Sequence, residues 1–101
     1  MSRAEILDVA KRTICKDRND QYGEPEDNFK MIADLWSDYL HKKLSAEDVA
    51  NMMILFKVAR NVTGSGKMDN WIDICGYAAC GGEIAEKNDR SKIISGTNLS
   101  N

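Results

Sequence analysis

Phe29, Ile32, Ala33, Trp36 and Leu40 recur at i, i+3, i+4, i+7 and i+11, the spacing of one face of an α-helix. Helical spacing of this kind runs through most of the chain. No stretch alternates apolar and polar residues for long, and β-branched residues are sparse. The pattern predicts an all-α protein.

Four segments follow from it. Ser2 with Glu5 fits a capping box, and Ile6, Val9, Ala10 and Ile14 form one face of a first helix, expected to end near Arg18. The stretch "RNDQYGEPED" then reads as a loop. Pro25 suits the first turn of a second helix, which carries the stripe from Phe29 to Leu40. Ser45 is the expected N-cap of a third, with Glu47 and Asp48 in its first turn, where the helix dipole favours acids. Its stretch "VANMMILFKVA" is apolar almost all round, which predicts a central helix covered on several sides. Arg60, Asn61 and "TGSG" close it, and a fourth helix is expected from Met68–Asn70 to about Lys87. Residues 1–88 thus read as one helical domain and 89–101 as a polar, flexible tail. The expected fold is a four-helix bundle with near-antiparallel helices and short connections.

The fourth segment sets Gly76, Gly81 and Gly82 beside Ala79 and Cys80. Glycine costs about 1 kcal/mol relative to alanine inside a helix, so a ridge of this kind predicts that another helix approaches closely. The apolar surface of the third helix also exceeds what three neighbours of this size cover. Together they predict a homo-oligomer, a dimer in the first place.

The formal charge of −2 argues against direct DNA binding, which depends on a broad basic surface. There is no run of eighteen apolar residues, so no membrane span is expected. "MSRAEILDVAKRT" is interrupted by charge and lacks the apolar core of a secretory signal, which places the chain in the cytoplasm. Cys15, Cys75, Cys80 and the single histidine, His41, have no zinc-ligand spacing. The thiols are expected free and at least half-buried.

The candidate chemistry lies in acids and cations. Asp69 and Asp73 fall on one face of the fourth helix, about a turn apart, and their charges repel unless a cation sits between them. Asp48 and Asn51 make a similar pair on the third. First-turn acids such as Glu47, Asp48 and Asp69 also stabilise helices with no further role, whereas Asp73 stands among Ile72, Ile74 and Cys75. Lys57, inside an apolar helix, needs a partner or an exit to water. Arg60 and Lys67 follow it, and Tyr22 beside Gly23 offers a ring for stacking or an ordinary packed anchor.

The blocks "RNDQYGEPEDNFKMIADLWSDYL", "EDVANMMILFKVAR" and "DNWIDICGYAACGGEI" cover roughly residues 12–86 and resemble an uncharacterised family of small phage and prophage proteins. More distantly they resemble the MazG-type all-α nucleoside triphosphate pyrophosphatases. That resemblance implies an oligomeric bundle that holds Mg²⁺ on an E-x-x-E, spacer, E-x-x-D pattern and cleaves NTPs to NMP and pyrophosphate. The nearest frame here is Asp48-x-x-Asn51, eighteen residues, then Asn70-x-x-Asp73, with asparagine at two of the four acidic positions. It implies Asp48, Asp69, Asp73 and Glu47 as metal ligands, since Mg²⁺ takes oxygen donors and keeps waters. Asn51, Asn70, Lys57, Arg60, Lys67 and Tyr22 would contact the nucleotide. The alternative is a non-catalytic phage accessory protein that binds a host or phage protein through its helix faces.

Overall fold

The computed structural model of this protein describes residues 1–64 and 67–94, with side chains through residue 89. Among them all regular structure is helical: α1 (Arg3–Arg12), a π-helical turn (Thr13–Asp17), α2 (Arg18–Tyr22), α3 (Pro25–Leu40), α4 (Ala46–Thr63) and α5 (Met68–Ile94).

The capping box at Ser2 is present in both directions. Glu5 N–H donates to Ser2 Oγ and Ser2 N–H to the Glu5 carboxylate, each at 3.1 Å. The first helix does not stop at Arg18. Thr13 Oγ1 donates to the Val9 carbonyl at 2.9 Å, and from Thr13 the backbone continues through a π turn into α2. A hydroxyl that competes for an i−4 carbonyl loosens the α register, which suits a π turn. The connection expected over "RNDQYGEPED" therefore shrinks to Gly23 and Glu24. Gly23 takes φ of 78° there, a conformation that costs glycine nothing.

Pro25 opens α3, as expected. His41 closes it in the left-handed conformation (φ 55°), so the only histidine of the chain serves as a helix C-cap. Ser37 then fixes the turn into α4: its hydroxyl donates to the Ala33 carbonyl at 2.6 Å and accepts from Leu44 N–H at 2.8 Å. Ser45 and Asp48 form a second capping box.

The core is small: Phe29 and Ala33 of α3, Val49 and Ala50 of α4, Cys80 and Ile84 of α5, with Ile14, Trp36 and Tyr77 packed around them. α4 and α5 run antiparallel, because Lys57 meets Asp73 while Ala50 meets Gly81 further along. α3 packs mainly on α4, and α1 on α5. The close approach implied by the glycines is found within the chain. A Cβ on Gly81 would stand 2.9 Å from Ala50 Cβ, and one on Gly76 2.9 Å from Ile14 Cγ2, whereas Gly82 has open space.

Other expectations fail. The apolar α4 is not covered on several sides: only Val49 and Ala50 are buried, while Leu55 is 65% and Val62 78% exposed. Leu40, at the end of the α3 stripe, is exposed as well. α5 also runs past Lys87 to Ile94, and the rest of the expected tail, 95–101, lies outside the described residues, as do 65–66 of "TGSG".

Gly81→Leu should lower stability by about 1–3 kcal/mol in urea unfolding followed by circular dichroism, because the added side chain forces α4 and α5 apart. Gly82→Ala should leave it equal or raise it by up to about 1 kcal/mol. Equal losses at the two positions would contradict this packing.

Candidate functional site

Lys57 has found its partner across the α4–α5 interface. Its ammonium lies 2.8 Å from Asp73 Oδ2, with the lysine side chain 16% and the aspartate 35% exposed. Asp73 also lines a narrow cavity of about 40 Å³ with Arg18, Gly76 and Tyr77, room for water rather than for a nucleotide. Above it the Arg18 guanidinium lies 5.2 Å from the Tyr22 ring centroid and 5.8 Å from that of Tyr77, within cation–π range of both. One approach to the Tyr22 ring is thus taken by a side chain of the same protein. Arg18 follows directly on the π turn, and nothing in residue spacing announced that turn.

The acids nominated for a metal do not converge. Asp48 accepts a hydrogen bond from Ser45 N–H at 2.9 Å in its capping box, and Asp73 is engaged by Lys57. Lys57 lies nine residues beyond Asp48, about 13 Å along α4 at 1.5 Å per residue, so Asp48 and Asp73 sit at different levels of the hairpin. Glu47 and Asn51 are exposed near the start of α4, and Asp69 is exposed in the first turn of α5. Among the described residues no group of three or more His, Cys, Asp or Glu is placed to hold a metal ion.

Three of the residues nominated for substrate contact do converge. Arg60, Lys67 and Asn70, with Thr63 and Gly64, line one pocket of about 180 Å³ where α4 turns into α5. Arg60 stacks on Phe56, its guanidinium 4.6 Å from the ring centroid, and among the described residues neither Arg60 nor Lys67 forms an ion pair. Gly64 is required at this turn, because a Cβ there would stand 2.7 Å from the Arg60 carbonyl oxygen. Asn70 is buried, and its N–H bonds to the Lys67 carbonyl at 3.1 Å, which places the pocket at the N-terminal end of α5. Two uncompensated cations and a helix N-terminus favour an anion.

Asn61 was not singled out from sequence. One turn beyond Lys57, its amide nitrogen and oxygen are both buried without a protein partner, an uncommon arrangement. The cysteines divide: Cys15 is exposed, against expectation, Cys75 is half-buried, and Cys80 is buried with its thiol pKa raised by desolvation.

Residues 5–85 match the family model described as a domain of unknown function, DUF6378. Over 83 residues the chain is 51% identical to the Gene 55 protein of Mycobacterium phage D29, covering 81% of this chain and 54% of that protein. Over 74 residues it is 40% identical to the Gene 55 protein of Mycobacterium phage L5, covering 72% of this chain and 47% of that protein. The chain spans about half the length of these curated relatives. No solved structure matches it.

Asp73→Asn, which leaves the Lys57 ammonium without its counter-charge, should cost about 1 kcal/mol of stability. Lys57→Met combined with Asp73→Asn should cost less than the sum of the single changes in a double-mutant cycle. Strict additivity would show the pair to be energetically silent.

Proposed function

We propose that this chain, which belongs to the DUF6378 family and has relatives in mycobacteriophages, binds a nucleotide through its phosphates. The observation that carries the proposal is the pocket at the α4–α5 turn, where Arg60 and Lys67 face one cavity with Asn70 and without a counter-charge. Its volume suits one or two phosphate groups, with sugar and base lying outside it. The distant resemblance to MazG-type enzymes supports a nucleotide over other phosphate esters.

Hydrolysis is a finer step. Of the four acids nominated for Mg²⁺, none lines this pocket: Asp73 is paired with Lys57, Asp69 is exposed in the first turn of α5, and Glu47 and Asp48 belong to the other end of α4. The arrangement in one chain supports phosphate recognition better than Mg²⁺-dependent pyrophosphate release. A second reading, an accessory protein that binds another protein through its helix faces, is favoured by one observation: the exposed apolar surface of α4.

Calorimetric titration with dNTPs, NTPs and pyrophosphate, each with and without Mg²⁺, tests the proposal. At least one should bind, and Arg60→Gln combined with Lys67→Gln should weaken it at least about tenfold, a loss of roughly 1.4 kcal/mol. Binding untouched by the double change, or none of these compounds binding, would overturn it. Pyrophosphate release in the same samples would restore the hydrolytic reading.

A further inference from the structure

Cys15 of the π turn and Cys80 of α5 line one pocket of about 220 Å³, together with Asn19, Glu24, Ala79 and Glu83. Cys15 is exposed and Cys80 only 4% exposed, while the half-buried Cys75 takes no part in that pocket. We propose that Cys15 and Cys80 are a redox-active dithiol: a hydroperoxide oxidises Cys15, and Cys80 then closes an intramolecular disulfide that fastens the π turn to α5.

Packing sets the two thiols side by side. The N-terminal segment runs along α5 in the same direction: Ala10 and Thr13 share a cavity with Ile72 and Asp73, whereas Cys15 and Asn19 share one with Ala79 and Glu83. Gly76 allows the approach, since a Cβ there would stand 2.9 Å from Ile14 Cγ2. Cys15 follows Ile14, and Cys80 lies one turn beyond Gly76, so the two stand within roughly 5.4 Å of the same level along α5. A disulfide demands Cα atoms about 4.4–6.8 Å apart, and the remaining approach falls to the π turn. There Thr13 Oγ1 has taken the Val9 carbonyl and the α register has slipped. A shift of Cys15 therefore disturbs fewer α-helical hydrogen bonds than it would elsewhere in the segment.

The surroundings assign the roles. An accessible thiol meets the oxidant first, and a neighbouring thiol resolves the product. Burial pushes the Cys80 thiol up, the Arg18 charge opposes that, and Glu83 and Cys15 add to it, so Cys80 is held as a thiol away from solvent oxidants. In the first step the Cys15 sulfur attacks a peroxide oxygen. An S–O bond forms, the O–O bond breaks, and the departing hydroxide takes up a proton and leaves as water. Cys80 then gives its proton to solvent and its sulfur attacks the Cys15 sulfur. The S–O bond breaks, and the hydroxide leaves as a second water. The two sulfurs lose two electrons and the peroxide gains them. Arg18 and Tyr22, which follow Cys15 in the same helical run, are fastened with it. The pocket at the α4–α5 turn shares none of these residues.

Mass spectrometry of the purified chain, reduced and then given a small excess of hydrogen peroxide, tests the proposal. The intact mass should fall by about 2 Da, the two hydrogens lost, and recover with dithiothreitol. Trypsin with chymotrypsin, which cuts after Tyr77 and so parts Cys75 from Cys80, should release residues 13–16 joined to the peptide that holds Cys80. Cys75→Ala should keep the bond, whereas Cys80→Ala should lose it and leave Cys15 as an oxygen adduct. The oxidised chain should retain its helical circular dichroism and melt at least about 5 °C above the reduced one, because the bond closes a long loop. Oxygen added at Cys15 of the unaltered chain with no fall in mass, or a bond to Cys75 or between two chains, would overturn the proposal. So would an oxidised form that melts no higher than the reduced one.

Discussion

The register of α4 against α5 governs what this protein can do. The close approach of Gly81 to the Ala50 methyl draws the helices together at one level, and the Lys57–Asp73 ion pair ties them at another. Once both are set, every other residue of the hairpin has a fixed height. Arg60 and Lys67 rise to the turn, while Asp48 falls to the far end and is taken up as a helix cap. The same two contacts therefore gather the cations and scatter the acids. A one-turn slip would move each residue by about 5.4 Å and bring Asp73 beside a different partner.

Much of this fold is legible in the residues. The capping boxes at Ser2–Glu5 and Ser45–Asp48 depend on neighbours three apart, and Pro25 at the start of α3 depends on its own φ. Local rules reach that far. The continuation from α1 into α2 was not legible, because a π turn is a small shift in hydrogen-bond register that Thr13 permits but does not dictate. Arg18 inherits its place between two tyrosine rings from that shift. The exposure of Leu55 and Val62 was misjudged for a different reason: periodicity shows that a helix is apolar all round, not whether its own chain supplies enough neighbours.

The candidate site was half legible. A lysine inside an apolar helix implies a partner, and Asp73 is the acid standing among apolar residues on the next helix. Which acids meet, however, depends on the crossing point of two helices, and sequence spacing carries no information about it. The frame from Asp48 to Asp73 has the right number of intervening residues yet joins two levels of the hairpin. Spacing constrains two residues on one helix and leaves two residues on neighbouring helices free. Asn61 illustrates the converse: nothing in its type or surroundings separates it from a solvent-facing asparagine until the packing is known.

The small core and the bare outer face of α4 and α5 have one physical origin. A layer of two helices with apolar residues on both sides needs cover on both, and α1 and α3 cover only one. The central cluster of six buried residues is a modest core for a chain of 101 residues. Leaving Leu55, Val62 and Trp71 in water forfeits the burial of about 1.5–3 kcal/mol that each such side chain offers. The turn pocket lies at the end of the pair, so phosphate recognition draws on residues outside that bare face.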